Sequence, residues 1–357
     1  MNEQKKKLLI IGAAIIGVVV LLVVMLLVFH ALTHKKNSYS GIENNLVSAA
    51  KKYYDKNKDL LPTEGKSETV SSTTLTQAGF LDELSKLTKE GETCSADVTV
   101  TNNNDKYRYT AILDCGENYK TKTIAAHIRN KGTVTSESGL YELNGELVYR
   151  GEYPNNYIKL SNRMFRIVKI TNGKLVLIAN DRYEAVTWDN RYNIERKSMD
   201  GINDYTVSRI RKDFEEIEVI KEDDMSMLAP QTLYIGKRAV NDVYNDGSIE
   251  QSVMIEGQYF GLLPLYDYIN ASIDVNCTSA ATRSCSNYNY LNKYDYKWWT
   301  ITGDSDNTHK VYRIDDDGEI STIIANSTAY FRPVITLVSD ALYVSGEGTL
   351  ENPYIVK

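Results

Sequence analysis

The chain has 357 residues, room for two or three domains, and its 42% hydrophobic and 25% charged residues exclude a disordered tail. The formal net charge of -6 is unevenly placed: residues 1–36 carry Lys5, Lys6, Lys7, Lys35 and Lys36 against Glu3, so the rest holds 36 basic and 46 acidic side chains. An acidic body without a basic patch excludes nucleic acid as a partner.

Residues 1–7 read as a short cytoplasmic tail. Leu8 to Phe29 then runs without a charge. A helix over that stretch spans roughly 33 Å, enough for a ~30 Å hydrocarbon core. The alternative is a cleaved signal peptide, but the apolar run is long for one and lacks a small-x-small cleavage site. The expectation is an uncleaved signal anchor that crosses the membrane once, N-terminus inside.

The first outer domain is expected over residues 38–130. Ser40-Gly41-Ile42-Glu43 fits a helical capping box, followed by Ile42, Leu46, Ala49, Ala50, Tyr53 and Tyr54 at helical spacing. Pro62 closes this helix. A second, shorter helix is expected from Thr74, with Leu75, Ala78, Leu81 and Leu84 on its apolar face. The period then drops to two. Ala96–Thr101 and Tyr107–Asp114 alternate around the turn Asn102-Asn103-Asn104-Asp105, which predicts a β-hairpin. Cys94 and Cys115 flank the two strands, and antiparallel pairing brings them within disulfide reach. Cys277 and Cys285 close a small loop rich in Ser, Thr and Ala. Free thiols are the alternative for Cys94 and Cys115. Two local pairs without CxxC spacing point to structural disulfides and an oxidising compartment, hence an extracellular body. Only His127 and His309 lie in that body, so no zinc site and no resident metal or cofactor is expected.

A membrane helix, an outer helix and a small disulfide-bearing sheet resemble pilin-like modules over residues 38–130. The usual Gly-Phe-Thr-Leu-x-Glu leader is missing, and Asn37 to Gly41 interrupts the helical pattern.

A linker is expected over residues 131–138, then a larger, mainly-β recognition domain over 139–357. Tyr157–Leu160, Met164–Ile170 and Leu175–Ala179 read as a meander with Asn172-Gly173 as a tight turn. Val207, Ile210, Arg211 and Phe214 have helical spacing, and a short helix follows Pro264. Further strands are expected at Tyr296–Thr302, Val311–Ile314, Ile320–Ile324, Arg332–Leu337 and Pro353–Val356. The fold class is thus α+β.

In this region several segments occur in a fixed order. They are Gly139-Leu140-Tyr141, Tyr149-Arg150-Gly151, Pro154-Asn155-Asn156-Tyr157-Ile158, Phe165-Arg166-Ile167, Leu263-Pro264-Leu265-Tyr266-Asp267-Tyr268, Trp298-Trp299-Thr300, Phe331-Arg332-Pro333-Val334-Ile335 and Gly346–Tyr354. The set resembles an uncharacterised family of membrane-anchored surface proteins of Gram-positive bacteria (Firmicutes). The family implies no activity that can be carried over. Its Trp-Trp and Arg-Pro-Val layout also resembles C-type-lectin-like folds, a likeness of fold alone.

Candidate ligand-binding residues are Trp298 and Trp299, of which one would face outward as a stacking platform, together with Asp304 and Asp306. Asp315, Asp316 and Asp317 lack the spacing of a calcium loop. Arg332, inside an apolar strand, is expected to form a structural ion pair with an acidic residue. No catalytic motif is found, and no catalytic residue is assigned. The functional expectation is a membrane-anchored extracellular binding or adhesion protein for a cell-wall or host glycan or protein. The alternatives are an assembly component of a cell-envelope or pilus-like system, or a glycan-acting hydrolase.

Overall fold

The computed structural model describes residues 38–89, 92–103, 106–292 and 295–357. The tail at 1–7 and the span at 8–29 lie outside them. Among the described residues no helix is long and apolar enough to cross a membrane. The architecture is α+β, with more sheet than helix, in two compact units: residues up to 102 with 109–120, and 103–108 with 121–357.

In the smaller unit, helix α1 (Tyr39–Lys56) is capped by Ser38, whose Oγ accepts the Gly41 N–H at 3.1 Å. The cap is two residues earlier than the expected box at Ser40. Glu43, the acid of the expected box, is buried and accepts the Tyr119 hydroxyl at 2.8 Å. Ile42, Leu46, Ala49, Ala50 and Tyr54 form the buried stripe. They pack in one core with the sheet of β1 (Ser67–Ser71), β2 (Ser95–Asn103) and β3 (Lys106–Asp114), antiparallel in that order. Short helices α2 (Ser72–Gln77) and α3 (Leu84–Leu87) join β1 to β2. The Cys94–Cys115 disulfide is present, with Cα atoms 4.2 Å apart.

The larger unit begins earlier than expected. Helix α4 (Ile124–Arg129) buries Ile124, Ala125 and Ile128 in the large core, and Thr123 bridges to Leu342. The boundary expected at residue 130 therefore moves to about 120. Nor are residues 131–138 a free linker: Val134 N–H donates to Leu140 O at 2.8 Å, and Tyr141 Oη to Glu137 O at 2.7 Å.

The main sheet opens with β4 (Gly139–Leu143), β5 (Glu146–Arg150), β6 (Tyr157–Leu160), β7 (Arg163–Thr171) and β8 (Lys174–Ala179). Strand β7 organises it. One edge pairs with β8; the other is shared, β6 opposite Arg163–Arg166 and β5 opposite Lys169–Ile170. The Asn172-Gly173 turn, with φ of 49° and 75°, closes the β7–β8 hairpin. After β9 (Ala185–Thr187) and helix α5 (Arg209–Glu216) comes the two-stranded sheet of β10 (Gln231–Tyr234) and β11 (Met254–Gln258). Helix α6 (Leu265–Ala271) leads to β12 (Trp298–Gly303), β13 (Lys310–Ile314), β14 (Ile320–Ile324) and β15 (Thr328–Tyr330). These four and β9 make a second sheet, ordered β14-β13-β12-β15-β9. The chain returns to the main sheet with β16 (Val334–Leu337), β17 (Tyr343–Ser345) and β18 (Tyr354–Val356); β16 extends beyond β8, and β18 pairs parallel to β6.

Candidate functional site

Lys169 lies in an apolar strand, yet its side chain is not carried to solvent. The register of β7 against β8 slips between Ile167 and Lys169, which leaves Val168 as an extra residue. Such a bulge re-aims the side chains after it. Lys169 then sits opposite Val176, which sits opposite Thr336, and all three line one cavity of about 240 Å³. Leu233, Leu262, Pro230, Pro264 and Val334 add apolar wall, while Thr171, Lys174 and Thr232 add polar groups.

Three groups gather around the lysine. Its Nζ donates to Tyr266 Oη at 2.8 Å and to Glu146 Oε2 at 3.2 Å, and it lies 3.3 Å from Asp267 Oδ1. Asp267 and Tyr266 come from the first turn of α6, which Pro264 starts; Glu146 opens β5. Lys169 and Asp267 are buried, whereas Glu146 is about one-third exposed at 32%.

Burial by itself would push the Lys169 ammonium down. The Asp267 carboxylate, then Tyr266 and Glu146, outweigh it and hold the lysine above its ordinary range. Burial raises Asp267, against the pull of Lys169, and burial raises Tyr266. Two carboxylates share one ammonium, so with both ionised the cluster carries an excess negative charge. Glu146, the more exposed of the two, offers that charge and its unused acceptor positions to the cavity.

The residues singled out in the sequence fall elsewhere. Trp298 and Trp299 are both fully buried, so neither is a platform. The sheet that holds them is covered on both faces, and alternation therefore sends the two rings into two packed layers. Trp299 Nε1 donates to Val186 O at 2.9 Å; Trp298 meets Tyr268 edge to face at 5.9 Å. Asp304 is buried and shapes the β12–β13 connection: its Oδ1 accepts the Asp306 N–H at 2.9 Å, its Oδ2 the Asn307 amide at 2.8 Å. Asp306 is exposed in that turn.

Arg332 is buried, but among the described residues the ion pair expected for it is not formed. Its Nε donates to Ala179 O at 2.9 Å, its Nη1 to Leu291 O at 3.1 Å, and its guanidinium lies over the Trp298 ring. Neutral carbonyls take Nε and Nη1 without drawing a second charge out of water, and Nη2 is buried with no hydrogen-bond partner among the described residues. The Cys277–Cys285 disulfide is present, with Cα atoms 4.5 Å apart. Among the described residues, the one His/Cys/acid group close enough for a metal is Glu92 with Cys94 and Cys115, whose sulfurs are already bonded to each other.

Most of the ordered segments singled out above turn out to be framework. Arg166 lies between the rings of Tyr157 and Tyr290 and donates to Asn156 Oδ1 at 2.5 Å; burial lowers it to about 10. Gly346 has φ of 96°, and a Cβ there would strike the Pro353 carbonyl. Leu263–Tyr268 is different, because it brings Tyr266 and Asp267 to the cavity. Sequence reasoning missed Lys169, Glu146 and Asp267 as a group. The visible signal for two of them was a charge inside an apolar run, Lys169 in Ile167–Ile170 and Asp267 in Leu262–Ile269.

Comparison with protein-family models, with curated proteins and with solved structures returned no match for this chain.

Proposed function

We propose that this chain is a membrane-anchored extracellular binding protein and that the cavity above Lys169 is its ligand pocket. The anchor is Leu8–Phe29, and the larger unit is the recognition head, for which the C-type-lectin-like likeness is part of the same proposal. The pilin-like likeness assigns the smaller unit a spacer role.

The observation that carries this reading is the cavity itself. It has apolar walls, a rim of Thr171, Thr232 and Lys174, and an acidic end where Glu146 keeps acceptor capacity. Its ~240 Å³ equals the space of about eight waters, the scale of one sugar ring or one amino-acid side chain. Hydroxyl or ammonium donors fit the Glu146 end, and a ring or alkyl face fits the Leu233–Val334 wall. A terminal sugar of a cell-wall or host glycan has both features. Hydrolysis is the weaker reading, because both carboxylates of the cavity are bound to one lysine and neither is placed as a separate acid and base.

The test is titration of the full chain, reconstituted in lipid nanodiscs, with muropeptides and with neutral and acidic oligosaccharides. Saturable binding is expected, and Thr232→Trp, which fills the mouth, should abolish it. A folded wild-type chain that binds none of these ligands, or a Thr232→Trp variant that binds unchanged, would reject the pocket.

A further inference from the structure

We propose that Lys169 and Asp267 become joined by an intramolecular amide bond, with Glu146 carrying the proton. The inference does not depend on what the cavity binds. It stands on three side chains that the fold brings together from β5, β7 and α6.

The geometry has the parts such a condensation needs. Lys169 Nζ is 3.3 Å from Asp267 Oδ1, so the amine and the carboxyl group are in contact, and both groups are held by packed elements. The three ammonium hydrogens face three acceptors, Asp267, Glu146 and Tyr266. Two of these are carboxylates, and two protons must leave the nitrogen. The charged pair is the resting state, since Asp267, Tyr266 and Glu146 hold Lys169 as an ammonium; burial, which raises Asp267, works toward the neutral acid that the step consumes.

The step balances without a co-reactant. Lys169 first passes one proton to Asp267. The Nζ lone pair then bonds to Cγ of Asp267. The second proton passes to the Glu146 carboxylate, 3.2 Å from Nζ, and Glu146 returns it to the departing hydroxyl. The C–O bond breaks, one water leaves, and Glu146 ends as it began. The one-third-exposed position of Glu146 at the cavity gives that water an exit. The product removes a buried charge pair and its desolvation cost. It also closes a loop of about 100 residues between the main sheet and α6, which restricts the unfolded chain as a disulfide of that span does. Glu146 keeps its charge, so the acidic end of the cavity survives.

The mass of the denatured, reduced full chain reads the bond directly. The expected result is a chain lighter by one water than its sequence, with a proteolytic fragment that joins the Lys169 and Asp267 peptides. Glu146→Gln should restore the full mass. So should Lys169→Arg, which keeps a cation in place but has no amine to acylate. Both chains should still form the Cys277–Cys285 disulfide, which checks that they fold. A folded wild-type chain at its full sequence mass, or a lost water that maps to another residue pair, would overturn the proposal.

Discussion

In the smaller unit, α1 lays one apolar stripe on a three-stranded sheet whose strand β2 alternates inward and outward, and a disulfide ties the hairpin ends. In the larger unit, Arg166, Lys169, Arg238, Glu250, Asp267 and Arg332 are all buried among the apolar side chains. The first unit is built on local period, and one partly buried contact, Tyr119 to Glu43, spans 76 residues. The second is built from long-range pairings, in which charged groups hold loops that no strand could hold. Arg238 shows how: it pairs with Glu250 at 3.0 Å and donates to the carbonyls of Asp242 and Tyr244, so one side chain pins the loop between β10 and β11. Local patterns should therefore survive mutation better in the smaller unit, and single buried groups should matter more in the larger one.

That contrast can be broken by measurement. The largest effects belong to the buried groups of the larger unit. Trp299→Ala should lower stability by about 3–5 kcal/mol, the cost of emptying a full aromatic site. Thermal or denaturant unfolding checks it, and a stable variant would mean that the ring is not packed as described. Arg238→Ala leaves Glu250 buried and unpaired, with an expected loss of about 3–5 kcal/mol. Glu250→Gln should cost less, because the Arg238 guanidinium keeps an amide oxygen and the carbonyls of Asp242 and Tyr244 as acceptors. Replacement of both Cys94 and Cys115 by Ser opens a loop of 21 residues in the smaller unit and should cost about 3 kcal/mol. Its signature is an unfolding transition of the smaller unit that moves down while that of the larger unit stays in place.

The smallest effect is a pH dependence. His127 stacks on Tyr343 with ring centroids 3.6 Å apart, and burial holds its imidazole below the ordinary histidine range. The unfolded chain then binds the proton more readily. Stability is full above about pH 6.5 and declines as pH falls through and below that value. After solvent screening the loss should stay under about 1 kcal/mol. His127→Phe keeps the stack and should flatten the decline in a series of melts between about pH 7 and about pH 5.

How much of this was legible depends on range. The hairpin with its flanking cysteines was readable because strand alternation and turn chemistry act within twenty or so residues. The β7–β8 hairpin was readable for the same reason. Helix starts were less so: Ser38 rather than Ser40 caps α1, and Glu43 accepts from Tyr119, a partner 76 residues away that no local pattern announces. Strand β1 lacks a strong alternation, since only Val70 points inward, and its place comes from pairing with β2.

The site was least legible. Trp298 and Trp299 drew attention because large aromatic rings suit ligand stacking, yet the same property makes them the best core fillers once a sheet is covered on both faces. Lys169 and Asp267 drew none. Their significance lies in a one-residue bulge at Val168 and in the approach of α6 to β7, from residues almost a hundred positions apart.

By itself, the sequence determined the local periods, the turns, both disulfide pairs and the acidic balance of the body, since each follows from residue types and short spacings. The tertiary structure decided which charges are taken inside, which aromatic rings are covered, and which acids meet Lys169. Those outcomes depend on how whole sheets are layered and on a single register slip, and burial sets the energy of a charge only after the layers have closed over it.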